Sequence, residues 1–150
     1  MRALVLGGTR FLGRALVDAL LGQDHEPTLF NRGQTAPELY PDVEKLRGDR
    51  SADLSALEGR EWDAVLDVAA YFPHEVQRSV EALRGHGDRY VFVSSVSVYA
   101  DQSVPQVEES AVAELSPGDE TDDGPETYGA RKAECERIVA DAFGDRALVV

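Results

Sequence analysis

The sequence predicts an α/β protein: a Rossmann-like, doubly wound parallel sheet with helices on both faces. Three observations carry that expectation. Short apolar runs rich in β-branched residues alternate with helical periodicities along the 150 residues. The first apolar run ends in a glycine corner, "LVLGGTRFLGRAL" (residues 4–16), that opens a helix. A hydrophobic share of 43% against 29% charged suits one ordinary soluble domain with a sizeable core.

Each element has its own signal. "RALVLGG" reads as a short buried strand, after which Phe11, Leu12, Ala15, Leu16, Ala19 and Leu20 recur at helical spacing up to Gly22. "EPTLFN" (26–31) is a second strand stopped by Asn31 and Gly33, "VEKLRGD" a weaker third, and "SADLSALEG" a short capped helix. "DAVLDVAAY" is a near-continuous apolar strand, and "PHEVQRSVEALRG" puts Val76, Val80 and Leu83 on one helical face. "RYVFVSSVSVYA" reads as a fifth strand on its β-branched and aromatic content. Residues 101–124 form a long polar connection, a length usually reserved for functional or mobile segments. "PETYGARKAECERIVADAFG" is a strong helix, and "RALVV" begins a buried strand. A chain stopping on such a strand reads as one part (residues 1–150) of a longer polypeptide.

Composition narrows the function. A net charge of −13 argues against a partner held through nucleic-acid phosphates. Between Asp101 and Ala130 stand nine acidic residues and no Lys or Arg, which reads as a solvated acidic loop. Glu108 and Glu109 belong to that loop. No apolar run suits a membrane span or a signal peptide, and the lone cysteine forms no internal disulfide, so a reducing cytoplasm is expected. His25, His74 and His86 lack metal-ligand spacing and read as surface residues; Trp62 reads as packing.

In a parallel sheet with right-handed crossovers, ligands bind beyond the carboxyl ends of the strands, where the strand order reverses. Chain order alone puts residues 7–13, 31–33, Asp49, 69–71 and 94–99 on that rim. A strand-to-helix turn needs residues tolerant of unusual φ, and phosphates need close backbone approach. Gly7, Gly8 and Gly13 supply both, with Thr9, Arg10, Phe11 and Leu12 between them.

On these residues the sequence resembles the extended branch of the short-chain dehydrogenase/reductase superfamily, the NAD-dependent epimerases and dehydratases. "GGTRFLG" is similar to that branch's Gly-x-x-Gly-x-x-Gly turn, with Arg10 in the second glycine's place. The same departure marks an atypical "GGTRF" group that includes chloroplast stem-loop-binding proteins. The resemblance implies that Asp49 accepts from the adenine amino group and that Ala69 and Ala70 pack against ribose and pyrophosphate. At the end of the second strand Asn31 and Arg32 stand where a carboxylate would select NAD(H). Arg32 and Arg10 could together face a 2′-phosphate through forked hydrogen bonds, so NADP(H) is expected over NAD(H).

"TYGARK" sets Tyr128 and Lys132 four residues apart, on one helical face. Following a strand that ends "SSVSVYA", the pair resembles the superfamily's Ser, Tyr-x-x-x-Lys triad, which assigns the serine to Ser95, four before Tyr99. A phenol with a free pKa of about 10 serves as acid or base when an adjacent ammonium favours its phenolate. Lys132 would do this and also hold the nicotinamide ribose, while Ser95 would steady charge on the substrate oxygen. Cys135, Val139 and Phe143 continue the helix stripe and read as core.

The implied function is hydride-transfer chemistry on a nucleotide sugar or another small hydroxyl or carbonyl compound. The alternatives are a catalytically silent NADP(H)-sensing regulator and an RNA-associated relative. Helices 73–85 and 125–143 could pair across a two-fold axis in a homodimer.

Overall fold

The computed structural model describes all 150 residues. Strands β1 (Arg2–Leu6), β2 (Glu26–Asn31), β3 (Glu44–Arg47), β4 (Ala64–Asp67), β5 (Tyr90–Phe92) and β6 (Ala147–Val149) form one sheet in the order β3-β2-β1-β4-β5-β6. Every pairing is parallel. Helices α1 (Phe11–Gly22), α2 (Pro73–Leu83) and α3 (Pro125–Phe143) cover it. The strand order reverses between β1 and β4, which opens a crevice at their carboxyl ends.

The alternation of side chains in β1 explains its apolar sequence. Leu4 and Leu6 enter the larger core with Val76, Val80 and Leu83 of α2 and Cys135, Val139 and Phe143 of α3. Ala3 and Val5 enter a smaller core with Val17 and Leu20 of α1 and with Leu29. A strand buried on both faces has no polar side to show.

Four expectations change in three dimensions. The buried face of α1 is Gly13, Val17 and Leu20, whereas Phe11 is 94% exposed. Gly13 sets that rotation: a Cβ there would lie 2.9 Å from the Gly8 backbone, so the helix turns its smallest residue inward. Instead of a helix, residues 51–59 hold one 3₁₀ turn, Ser55–Leu57, behind an Asp53 carboxylate that accepts the Ser55 amide at 2.9 Å. The fifth strand ends at Phe92, and Val96–Val98 form a 3₁₀ turn. The turn starts because the Ser95 hydroxyl accepts the Ser97 amide at 3.1 Å, a local bond that competes with the ladder.

The 101–124 connection folds back on that turn. Tyr99 and Val112 form an antiparallel bridge, flanked by hydrogen bonds from the Ala100 amide to the Ala111 carbonyl and from Ala113 to Val98. Finally, β6 is an exposed edge. The in-register row Leu29, Val5, Leu66, Val91, Leu148 crosses one face of the sheet, and α1 covers only its first members. Leu29 and Val5 are fully buried, while Leu148 is 53% exposed.

Candidate functional site

The largest concentration of residues singled out in the sequence lies in a cleft of ≈ 390 Å³ at the β1/β4 crevice. Gly7, Gly8, Thr9, Arg10, Asn31, Arg32, Asp49 and Ala69 line it; Phe11, Leu12, Gly13 and Ala70 do not. Its size falls in the range of small-molecule sites.

The corner at β1–α1 is built by backbone. Gly7 and Gly8 take φ of 117° and 88°, which side-chain-bearing residues rarely adopt. The N-cap Arg10 makes no side-chain capping bond, and the first turn of α1 carries no acidic residue. The opening amides of the helix are therefore left without a side-chain anion to satisfy them, next to the stretch Gly7–Arg10 that lines the cleft. Phe11 holds φ at 29° with its ring in solvent, a strained conformation at the corner itself.

Asn31 has a structural task there. Its amide donates to the Gly7 carbonyl at 3.0 Å, and its oxygen accepts from the Gly33 amide at 2.9 Å and from Arg47. It thus locks the glycine corner to the end of β2. Arg32 and Arg10 are exposed on the cleft, and β2 ends without a carboxylate. Asp49 shapes a turn, its carboxylate accepting the Ser51 amide at 2.9 Å, and it lines the cleft as well.

Beneath this cleft lies a polar node that the sequence reading did not single out. Arg50 makes two hydrogen bonds to Asp67, at 2.9 and 2.8 Å, and a third to Ser79 at 2.9 Å. The Tyr90 hydroxyl donates to the same Asp67 at 2.7 Å. Burial pushes the Asp67 carboxyl up, but the Arg50 charge and these bonds outweigh it and hold it below its usual value. Burial and the Asp67 charge raise the Tyr90 phenol well above its usual value. Asp67, an acid in the apolar middle of "DAVLDVAAY", was the available signal, since a buried carboxylate requires a partner.

The triad candidates sit outside the cleft lining, on the adjoining stretch of rim. Lys132 is 3% exposed; its ammonium donates to the carbonyls of Ala70 at 3.2 Å and Val93 at 2.6 Å and rests 4.0 Å from the Phe92 ring centroid. Two of its three donors are thus held by backbone. Burial lowers the Lys132 pKa against the opposing fields of neighbouring groups, Asp67 and Glu136 among them. Gly129, beside Tyr128, packs so closely on the 3₁₀ turn that a Cβ would overlap the Ser97 carbonyl oxygen. Through these two contacts α3 brings Tyr128 and Lys132 to residues 93–97, which carry Ser95.

Among the three nearby serines, Ser94 is tied to Glu136 and the Ser97 carbonyl is pressed under Gly129. Ser95 accepts one amide and keeps its own hydroxyl proton free to donate. Cys135 is fully buried, and burial pushes its thiol up to about 12, which makes it core rather than nucleophile. Trp62 is buried at 4%, whereas Glu108 and Glu109 are exposed. His74 and His86 are exposed and His25 is half-buried. No helix is long and apolar enough to cross a membrane.

Comparison with known proteins agrees with this fold. Arabidopsis thaliana chloroplast stem-loop binding protein of 41 kDa b is 33% identical over 128 residues, covering 74% of this chain and 34% of that protein. A solved UDP-galactose 4-epimerase superposes with a TM-score of 0.79 at 28% identity, covering 99% of this chain and 55% of its own. The UDP-glucose 4-epimerase of Thermus thermophilus, solved in complex with NAD, matches with a TM-score of 0.74 at 22% identity, again over 99% of this chain and 54% of that one. The chain spans about half the length of these solved structures and a third of the curated relative. Residues 3–148 match the NAD dependent epimerase/dehydratase family, and the chain belongs to that family.

Proposed function

We propose that the cleft binds an NAD-type dinucleotide, NADP(H) ahead of NAD(H), and that Ser95, Tyr128 and Lys132 serve hydride-transfer chemistry on a nucleotide sugar or related small hydroxyl or carbonyl compound. One observation carries the reading: the uncapped corner of α1 and the α3 segment against residues 93–97 share a single sheet edge. The residues fit such a group. The glycine corner has no room for side chains, and the first turn of α1 offers amides without a competing acid.

The division of labour follows from the side chains. Arg10 and Arg32 are the cations available to a 2′-phosphate, and the absence of a carboxylate at the end of β2 removes the usual repulsion. The solved relatives named with NAD make this preference a matter for direct measurement. A bound nicotinamide would supply the hydride acceptor or donor. Ser95 presents a free hydroxyl proton to a substrate oxygen, and Tyr128 exchanges a proton at its Oη. Lys132, with one donor left, would orient the nicotinamide ribose.

Fluorescence titration of the chain with NADPH and NADH tests the cofactor reading. Tighter NADPH binding is expected, with Arg32→Glu reducing the difference by about tenfold; tighter NADH binding overturns the preference, and no binding of either overturns the site. In a chain that turns over UDP-glucose or another sugar nucleotide, Tyr128→Phe should abolish turnover without changing dinucleotide affinity. Unchanged turnover in Tyr128→Phe overturns the role of Tyr128, and tight dinucleotide binding with no turnover of any sugar nucleotide by wild type favours the sensing role.

A second reading rests on the Arabidopsis relative's name, which implies stem-loop binding by that protein. The charge of −13 opposes it here, and an RNA gel shift at low salt decides it. Helices α2 and α3 pack side by side with exposed outer residues, a surface on which a two-fold dimer would form; light scattering at several concentrations tests that.

A further inference from the structure

The turn from β4 into α2, residues 67–73, is held between two arginines, the half-buried Arg50 and the buried Arg131. Arg50 reaches it from the β3 side and is paired with Asp67. Arg131 reaches it from α3 and belongs to none of the ion pairs of the molecule. It is nevertheless only 3% exposed. Its guanidinium donates to the carbonyls of Tyr71 and Gly124, each at 3.2 Å, and stacks 4.6 Å from the Phe72 ring centroid. Its Nε is buried without a partner.

An unpaired buried cation is an expensive way to fill space, and an aliphatic side chain would pack there without the desolvation cost. What the guanidinium provides instead is a three-way tie. Tyr71 and Phe72 belong to the cleft wall, and Phe72 caps α2. Gly124 ends the 101–124 connection and caps α3. Arg131 itself stands three residues after Tyr128 and one before Lys132. Its fork is rigid and planar, so two carbonyls and a ring fix it in one pose.

We infer that Arg131 is a positioning residue that sets the spacing between the Tyr128–Lys132 end of α3 and the cleft wall at Tyr71–Phe72. The inference rests on the cleft being the dinucleotide site. It links the adenosine side of that site to the side where Tyr128 and Lys132 stand. Its loss should therefore be felt by a ligand spanning both sides and not by one occupying only the first.

The test uses the 150-residue chain with Arg131→Met and Arg131→Lys, titrated with NADPH and with ADP, and followed by hydrogen exchange. Arg131→Met should weaken NADPH about tenfold while ADP stays within about twofold, the loss of two charged hydrogen bonds acting on one ligand only. Arg131→Lys should fall between wild type and Arg131→Met. Amides in 71–76 and 124–128 should exchange faster in both variants, and those in 7–13 should not. Equal weakening of both ligands, or unchanged exchange at 71–76, overturns the inference. If wild type binds neither ligand the dinucleotide reading fails, and the exchange data still decide whether Arg131 holds the two segments. Should Arg131→Met not fold, Arg131→Lys carries the same comparison.

Discussion

The two halves of the carboxyl rim are made from different materials. The half at β1, β2 and β3 is a backbone construction: a glycine corner, free helix amides, and Asn31 stapling one strand end to the next. The half at β5 and α3 is a side-chain construction, in which Ser95, Tyr128 and Lys132 depend on how a long helix seats on a 3₁₀ turn. Backbone sterics act over a few residues of sequence, whereas side-chain convergence needs elements more than 30 residues apart to dock correctly. The first half is accordingly a walled cleft, and the second lies outside it.

The sharpest way to break this contrast is Asp67→Ala. It strands the Arg50 guanidinium beneath the first half and should cost about 3–5 kcal/mol in urea unfolding. A loss below about 1 kcal/mol would mean that the node is not what supports the cleft. The same carboxyl sets an acid limit. Because its folded pKa is depressed, its contribution is fully present above the unfolded value of about 3.9 and drains as pH falls through the lower folded value. Below about pH 4, wild type should therefore lose stability more steeply than Asp67→Asn, measured by melting at stepped pH.

Gly129→Ala attacks the second half. The new methyl meets the Ser97 carbonyl, so α3 must shift, at a cost of about 1–3 kcal/mol. ADP binding to the first half should be unchanged, whereas exchange at residues 95–98 should rise. An undisturbed 95–98 turn would show that α3 does not set it. Ser95→Ala removes only the hydroxyl that starts the 3₁₀ turn and should lower stability by about 0.5–1 kcal/mol. Smallest of all, Cys135 should resist thiol reagents at pH 8 in the folded chain and react only on unfolding, because its pKa is pushed up to about 12.

The legible parts of the sequence were those governed by short-range rules. Gly7, Gly8 and Gly13 announced their corner, and Val76, Val80 and Leu83 announced a buried helix face that the structure bears out. The burial of Phe11 did not follow, because helical spacing gives a stripe but not which way it turns; the Gly13–Gly8 contact decided that. The end of the fifth strand was misread for a related reason. β-Branched residues in "SSVSVYA" fit a strand, yet one hydroxyl-to-amide bond at Ser95 turned the chain away. Arg131 and Asp67 carried signals, being charges on buried stripes, but their partners lie 60 and 17 residues away.

By itself the sequence determined the alternation of strands and helices, the glycine corner, and the residue types needed for the proposed chemistry, because each is written in local steric and periodic constraints. The tertiary structure alone decided the rotation of α1, the seating of α3 on the Ser95 turn, and the pairing of Asp67 with Arg50. Those depend on contacts between distant segments, whose free energies are realised only once the sheet has brought the segments together.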